Sequence, residues 1–259
     1  MRIAVCYYGL VGGASGNDGK GYPISPKIGH HYYKKHLFDK NENIDTFIHS
    51  WSIEHQEELI SLYNPVSVEF EKQIQFKPWK LIPGQIFHLR KLLPIMAENY
   101  LKFFNYLYTL SFRAQSRWYS NKRVLDLVTE YEKKVGFSYD YVFITRLDVA
   151  FFSDLKFSNY DPSYFYVGHR NQGVDFPSKF EWKGNTDKHD DVYNDLWYFS
   201  NSKNMKSFST LYDNLKKYSI RPPLAGKQHI DKITRKVKKV FFYGIDYHPI
   251  RNFFYGKPY

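Results

Sequence analysis

"YDYVFITRLDVAFF", residues 139–152, decides how the chain is read. An apolar and aromatic run, Tyr141 to Ile144, carries straight into Arg146 and Asp148 and then turns apolar again. A short apolar run with β-branched and aromatic residues reads as a buried strand. Burying a charge is costly unless it is paired, so the Arg–Asp pair marks the point where the strand leaves the core.

Two other runs end in the same way. Arg2 to Tyr8 reads as a buried first strand and opens into "GLVGGASGNDGKGYPISP", with five glycines between Gly9 and Gly19. Those glycines free the backbone for close approach to a ligand. "DTFIHSW", Asp45 to Trp51, is a second short strand that ends in His49, Ser50 and Trp51. "PVSVEFE", Pro65 to Glu71, alternates like a third.

Helical periodicity separates these runs. A helix is expected over Ile28 to Phe38, and Ser52 is placed to cap "IEHQEELISLY". From Gln85 to about Val135 apolar residues recur at steps of three and four, among them Leu89, Leu92, Met96, Tyr100, Phe103 and Leu107. Pro94 is expected to kink or break this stretch. Val124, Leu127, Val128 and Tyr131 mark a second helix ending at Gly136. Later, "SYFYVGH" and "LWYFSN" read as strands and Met205 to Tyr218 as a helix. Gln228 to Val237 is a short helix before a last strand, "KVFFYGI". Strands alternating with helices imply an α/β fold with a largely parallel sheet flanked by helices. Ligands of such sheets bind beyond the carboxyl ends of the strands, so the three polar strand ends point to one shared crevice.

With 259 residues, 43% hydrophobic and 20% aromatic, the chain buries a sizeable core and is not a disordered one. Cys6 is the single cysteine, which excludes an internal disulfide and a cysteine-based metal site. It lies in the first apolar run, where a buried inert thiol is expected. No run approaches the roughly 18 apolar residues of a membrane helix. The start reads as a strand rather than a signal peptide, and a cytoplasmic protein is expected. The formal net charge of +11 favours an anionic partner: a phosphorylated small molecule, a membrane face or nucleic acid. The basic residues are spread along the chain, densest in "KITRKVKK", Lys232 to Lys239. That cluster is either a solvated helix face or a contact for acidic lipid or nucleic acid.

At a strand end, Asp148 can bind a divalent cation that bridges phosphates, since Mg²⁺ and Mn²⁺ favour oxygen ligands. Arg146 can pair with phosphate oxygen directly. The competing reading is a purely structural ion pair between the two.

The same stretch, after "QSRWYSNKRVLDLVTEYE" and before "NDLWYFSNSKNMKSFSTLY", resembles a group of nucleotide-sugar glycosyltransferases found in bacterial surface-polysaccharide clusters, phages and large DNA viruses. "MRIAVCYYGL" and "FIHSWS" are similar to the same group, so the resemblance spans about residues 1 to 215 in short motifs. It implies a single GT-A domain, with a nucleotide-sugar-binding half over about 1–150 and an acceptor-binding half over about 151–259. It implies a hexosyl- or pentosyltransferase that moves a sugar from a nucleotide-diphosphate donor to a hydroxyl of a glycan acceptor. Asp148 falls where the metal-binding Asp-x-Asp motif of that group lies, but position 146 is Arg and position 150 is Ala. The missing second carboxylate implies weak or dispensable use of Mn²⁺ or Mg²⁺. In its place, Arg146 or Arg117 would supply positive charge to the leaving diphosphate.

Carried over residue by residue, the resemblance puts Tyr8, Gly9, His49 and Trp51 on base and ribose, with Arg117, Ser120, Arg146 and Asp148 at the nucleotide. Asp195, and secondarily Asp191, would act on the acceptor hydroxyl as orienting group or base. His229 is a candidate metal ligand, and His30, His31 and His36 read as helix surface. The Gly-rich loop lacks the phosphate-binding pattern GxxxxGK[ST] and reads as a nucleotide-side loop. Two other classes remain open. Tyrosines and a basic track suit single-stranded nucleic acid, although no nucleic-acid motif is visible. A sulfotransferase-like enzyme would need a phosphate-binding loop after the first strand.

Overall fold

The computed structural model describes residues 1–11, 25–77, 94–168 and 193–240, and for 94–104 the backbone alone. Seven strands form one sheet in the order β3-β2-β1-β4-β6-β5-β7. They are β1 (Ile3–Gly9), β2 (Ile44–Ser50), β3 (Ser67–Phe70), β4 (Tyr141–Arg146), β5 (Phe165–Gly168), β6 (Asn194–Ser200) and β7 (Val237–Val240). The four strands from β3 to β4 are mutually parallel. β6 then runs antiparallel to both β4 and β5, and β7 is parallel to β5. The expected α/β architecture is present, with a mostly parallel sheet flanked by helices.

Among the described residues five α-helices accompany it: α1 (Pro26–His36), α2 (Gln56–Tyr63), α3 (Pro94–Val135), α4 (Ser202–Ser209) and α5 (Pro222–Ile233). Two apolar cores lie on the two faces of the sheet, following the alternation of side chains along β1. Ala4, Cys6 and Tyr8 pack with Trp118 and Val128 of α3, while Ile3, Val5 and Tyr7 pack with Tyr33 of α1 and Leu59 of α2. Cys6 is buried, as expected.

Three local expectations are corrected. The second helix expected around Val124 to Tyr131 is not separate: α3 begins at Pro94 and runs unbroken for 42 residues, and the stretch before Pro94 lies outside the described residues. A proline in the first turn costs nothing there, because its missing N–H would have had no helical partner. Ser52 does not cap the next helix: a 3-10 turn, Ile53–His55, intervenes, and the Ser52 hydroxyl accepts the Val11 N–H at 3.1 Å. The helix expected over Met205 to Tyr218 divides into α4 and a 3-10 segment, Tyr212–Lys217.

α3 sets the site. Its end leads at once into the start of β4, so it runs antiparallel to the parallel strands, from their carboxyl ends to their amino ends. Ser120 of α3 accepts the N–H of Gly9, the last residue of β1, at 3.1 Å. The turns that precede Ser120 therefore continue past the carboxyl edge of the sheet.

Candidate functional site at the carboxyl edge of the sheet

The chain passes from β1 to β2 and β3 on one side of β1, then returns to place β4 on the other. The direction of winding reverses between β1 and β4, and α/β sheets open a crevice at that point. β1 ends there in Gly9, whose φ of +91° lies in the left-handed region that glycine enters without strain. Because β6 is antiparallel to β4, its first residues reach the same edge: Thr145 pairs with Trp197, and Asp195 lies two residues before.

Four charged side chains meet at this edge. Arg146 donates from Nε to Asp148 Oδ1 at 2.6 Å and from Nη2 to Oδ2, a two-pronged pair. Arg117 of α3 pairs through Nη1 with the Asp195 carboxylate and donates to the Asp195 carbonyl at 3.2 Å. The Tyr8 hydroxyl donates to that carbonyl, also at 3.2 Å. Asp148 is 3% exposed, whereas the side chains of Arg117, Arg146 and Asp195 keep 16–19%. Tyr33 braces the pair from α1 by donating to the Arg146 carbonyl at 2.6 Å. Burial pulls the Arg117 pKa below the ordinary guanidinium value, with Tyr8 opposing the fall and the nearby Arg146 adding to it. At Arg146 burial acts the same way, but the Asp148 carboxylate prevails and the net shift is upward. Two cations and two anions thus share one neutral, mostly dry cluster.

A second cluster adjoins it on the β2 side. The His49 Nε2–H donates to Glu71 at 2.9 Å, and the Ser120 hydroxyl donates to His49 Nδ1 at 2.6 Å. Ser120 in turn accepts from Gly9, so one directed chain links β1, α3, β2 and Glu71. Burial lowers the His49 pKa, against the opposing pull of Glu71, and favours this neutral form. Neither His49 nor Ser120 exposes any surface. Glu69 holds Arg123 of α3 in a two-pronged pair at 2.6 and 2.9 Å. Trp51 stacks on Tyr119 of α3 at 5.5 Å, and burial followed by Glu71 pushes the Tyr119 phenol up to about 12.

The residues singled out from sequence therefore divide. Tyr8, Arg117, Arg146, Asp148 and Asp195 converge on one spot, and Gly9 bonds to the adjoining Ser50, Trp51 and Ser120. His49, Trp51 and Ser120 stand beside it, with the polar atoms of His49 and Ser120 and the ring of Trp51 engaged by neighbours. Asp195 touches Arg117 directly, which brings the expected acceptor carboxylate and the expected diphosphate arginine into one cluster. His229 is elsewhere, on α5, where its Nε2 donates to the Ser207 carbonyl at 3.2 Å and its Nδ1 accepts from the Tyr218 hydroxyl at 3.0 Å. Both ring nitrogens are occupied, so the residue expected as a metal ligand is a packed core histidine. Of the three histidines expected at the helix surface, His36 is buried and bonds Asp154 at 2.8 Å. Asp191 and residues 12–24 of the Gly-rich loop lie outside the described residues.

A cation at Asp148 would have to take oxygens already held by Arg146. Among the described residues no three His, Cys, Asp or Glu side chains converge into a ligand set. These residues do not fit a resident Mn²⁺ or Mg²⁺, and no step is derived through one. Sequence reasoning missed Glu71, Glu69 and Arg123. A carboxylate directly after β3 was the available signal, but its partners lie on other elements.

A comparison with protein-family models and with curated proteins returns no match for this chain. Among the described residues no helix is long and apolar enough to cross a membrane.

Proposed function

We propose that the chain transfers a sugar from a nucleoside-diphosphate donor to a hydroxyl acceptor, with the diphosphate held by Arg117 and Arg146. One observation carries this reading: two half-buried guanidinium groups, tethered by Asp195 and Asp148, stand at the carboxyl edge where the sheet reverses its winding. Guanidinium suits phosphate because its flat fork of N–H groups matches paired oxygens. Each arginine also keeps donors that no described residue takes: Nε and Nη2 of Arg117, and Nη1 of Arg146. A donor's phosphates can meet those N–H groups while the aspartates still hold the arginines in place.

In the transfer, the acceptor oxygen bonds the anomeric carbon and the sugar–phosphate bond breaks. Its electron pair leaves with the diphosphate, where the growing charge is met by fixed cations. Asp195 adjoins the same spot and takes the proton of the attacking hydroxyl, as a base placed within hydrogen-bond reach. Gly9 ends β1 without a side chain, which gives the nucleotide a close approach to backbone.

Thermal unfolding with a panel of nucleosides, nucleoside diphosphates and nucleotide sugars tests the reading, since a ligand that binds only the folded state raises its stability. Stabilisation by diphosphates and nucleotide sugars but not by nucleosides is expected. A panel with no diphosphate effect overturns it.

A further inference from the structure

Basic residues occur along the whole chain, but the net charge does not. Residues 201–240 hold eleven Lys and Arg against two Asp, which accounts for nine of the chain's eleven net positive charges. Both acids are already committed, Asp231 to Lys227 at 2.6 Å and Asp213 to Lys122 of α3 at 3.2 Å. The densest part runs from the end of α5 into β7: Lys232, Arg235, Lys236, Lys238 and Lys239, all exposed and with no acid among them. Among the described residues β7 is the last strand of the sheet, so this charge lies along its outer edge there.

We propose that this edge docks the protein on an anionic lipid bilayer. Charge complementarity leaves polyphosphate chains and nucleic acids as rivals, and two features favour the bilayer. Nine of the eleven bases are lysines. Lysine is a hydrated point charge suited to a diffuse anionic surface, whereas directed phosphate recognition favours the fork of arginine. Among the described residues, the aromatic rings of this edge are also occupied. Tyr164 lies under Lys238 at 3.9 Å and under Lys236 at 5.9 Å, and Tyr218, itself buried, lies under Lys232 at 4.5 Å. Rings covered by ammonium groups are not offered for base stacking, on which single-strand binding relies. The edge is distinct from the arginine–aspartate cluster, so docking and donor binding are separable properties.

Co-sedimentation of the full chain with phosphatidylcholine vesicles, with and without phosphatidylglycerol, reads this directly. Binding to the anionic vesicles should exceed binding to the neutral ones by about tenfold or more and should fall with added salt. The triple variant K232E/K236E/K238E should bind both vesicles alike. A control, K27E/K35E/K72E, makes the same change in net charge on exposed lysines elsewhere and should retain the preference. Four results overturn the proposal: equal binding of wild type to both vesicles, equal loss in the control, unchanged binding in the edge variant, or tighter retention on single-stranded nucleic acid than on anionic vesicles at the same salt. A further result with the same force is self-association of the edge variant without vesicle binding by wild type. The lysines would then only keep an open strand edge from pairing with another copy.

Discussion

The two clusters at the carboxyl edge use the same helix for opposite purposes. On the β4 and β6 side, α3 contributes Arg117 to a set of full charges whose arginines keep donors to spare. On the β2 and β3 side it contributes Ser120, three residues on, to a hydrogen-bonded chain that passes through a neutral His49 and ends on the Glu71 carboxylate. A charged pair with remaining donors can respond to an anion. A chain already bonded along its length can only be broken. The charged side is the one suited to a ligand, and the histidine side fixes the helix that presents it.

The largest expected effect separates pairing from binding. Arg146→Ala leaves Asp148 buried and uncompensated, which should cost about 3–5 kcal/mol of stability. Asp148→Asn strands Arg146 in the converse way and should also be destabilising. The double variant R146M/D148L replaces both charges by apolar groups and should recover most of that loss, because a buried pair gains little over well-packed apolar side chains. Chemical denaturation of the three variants checks this. A double variant as unstable as Arg146→Ala would show that the arginine acts through packing rather than charge.

Next comes the histidine side. His49→Ala leaves Glu71 and Ser120 without their central partner, at about 1–3 kcal/mol for groups left unsatisfied. Affinity for nucleoside diphosphate should change little once the protein is saturably folded. If diphosphate binding is lost while stability is kept, the two clusters have exchanged roles and the comparison fails.

The histidine side was also the harder one to read. Arg146 and Asp148 are two residues apart on a strand whose apolar run marks its own end, so their pairing was legible locally. The strands β1 to β4 and their polar ends followed from the same runs, whereas the helix expected over Gln228 to Val237 is displaced: α5 spans Pro222–Ile233, and Val237 begins β7. The Arg117–Asp195 contact joins positions 78 apart and depends on β6 being antiparallel, which no pattern of apolar residues specifies. The chain from Glu71 to Ser120 needs the register of three elements at once. His229 was misassigned because a histidine that is buried and bonded has the same letter as one that binds a metal.

A smaller effect is set by pH. Burial lowers the pKa of His49 and of His229 from the ordinary 6.5, with Glu71 and the Ser207 carbonyl acting against it. As pH falls below that value the unfolded chain takes up protons that the folded chain refuses, so stability is lost towards acid and is full above it. Denaturation on either side of pH 6.5 should show this slope, and His229→Gln should flatten it. An unchanged slope in that variant would assign the acid sensitivity to other groups.

Smallest of all should be the loss from Lys34→Ala. Its pair with Asp39 is exposed on both sides, and such pairs contribute at most about 1 kcal/mol. A larger loss would mean that surface charge matters as much as the buried cluster, which would blunt the contrast drawn above.

The most direct test of the central claim is calorimetric titration of nucleoside diphosphates and of the matching nucleosides into wild type, Arg117→Ala and the R146M/D148L variant, each shown to be folded under the conditions used. If the charged cluster is a diphosphate site, wild type binds the diphosphate more tightly than the nucleoside, and both variants lose that difference while keeping what nucleoside binding there is. A folded R146M/D148L protein that binds the diphosphate as wild type does would contradict the account.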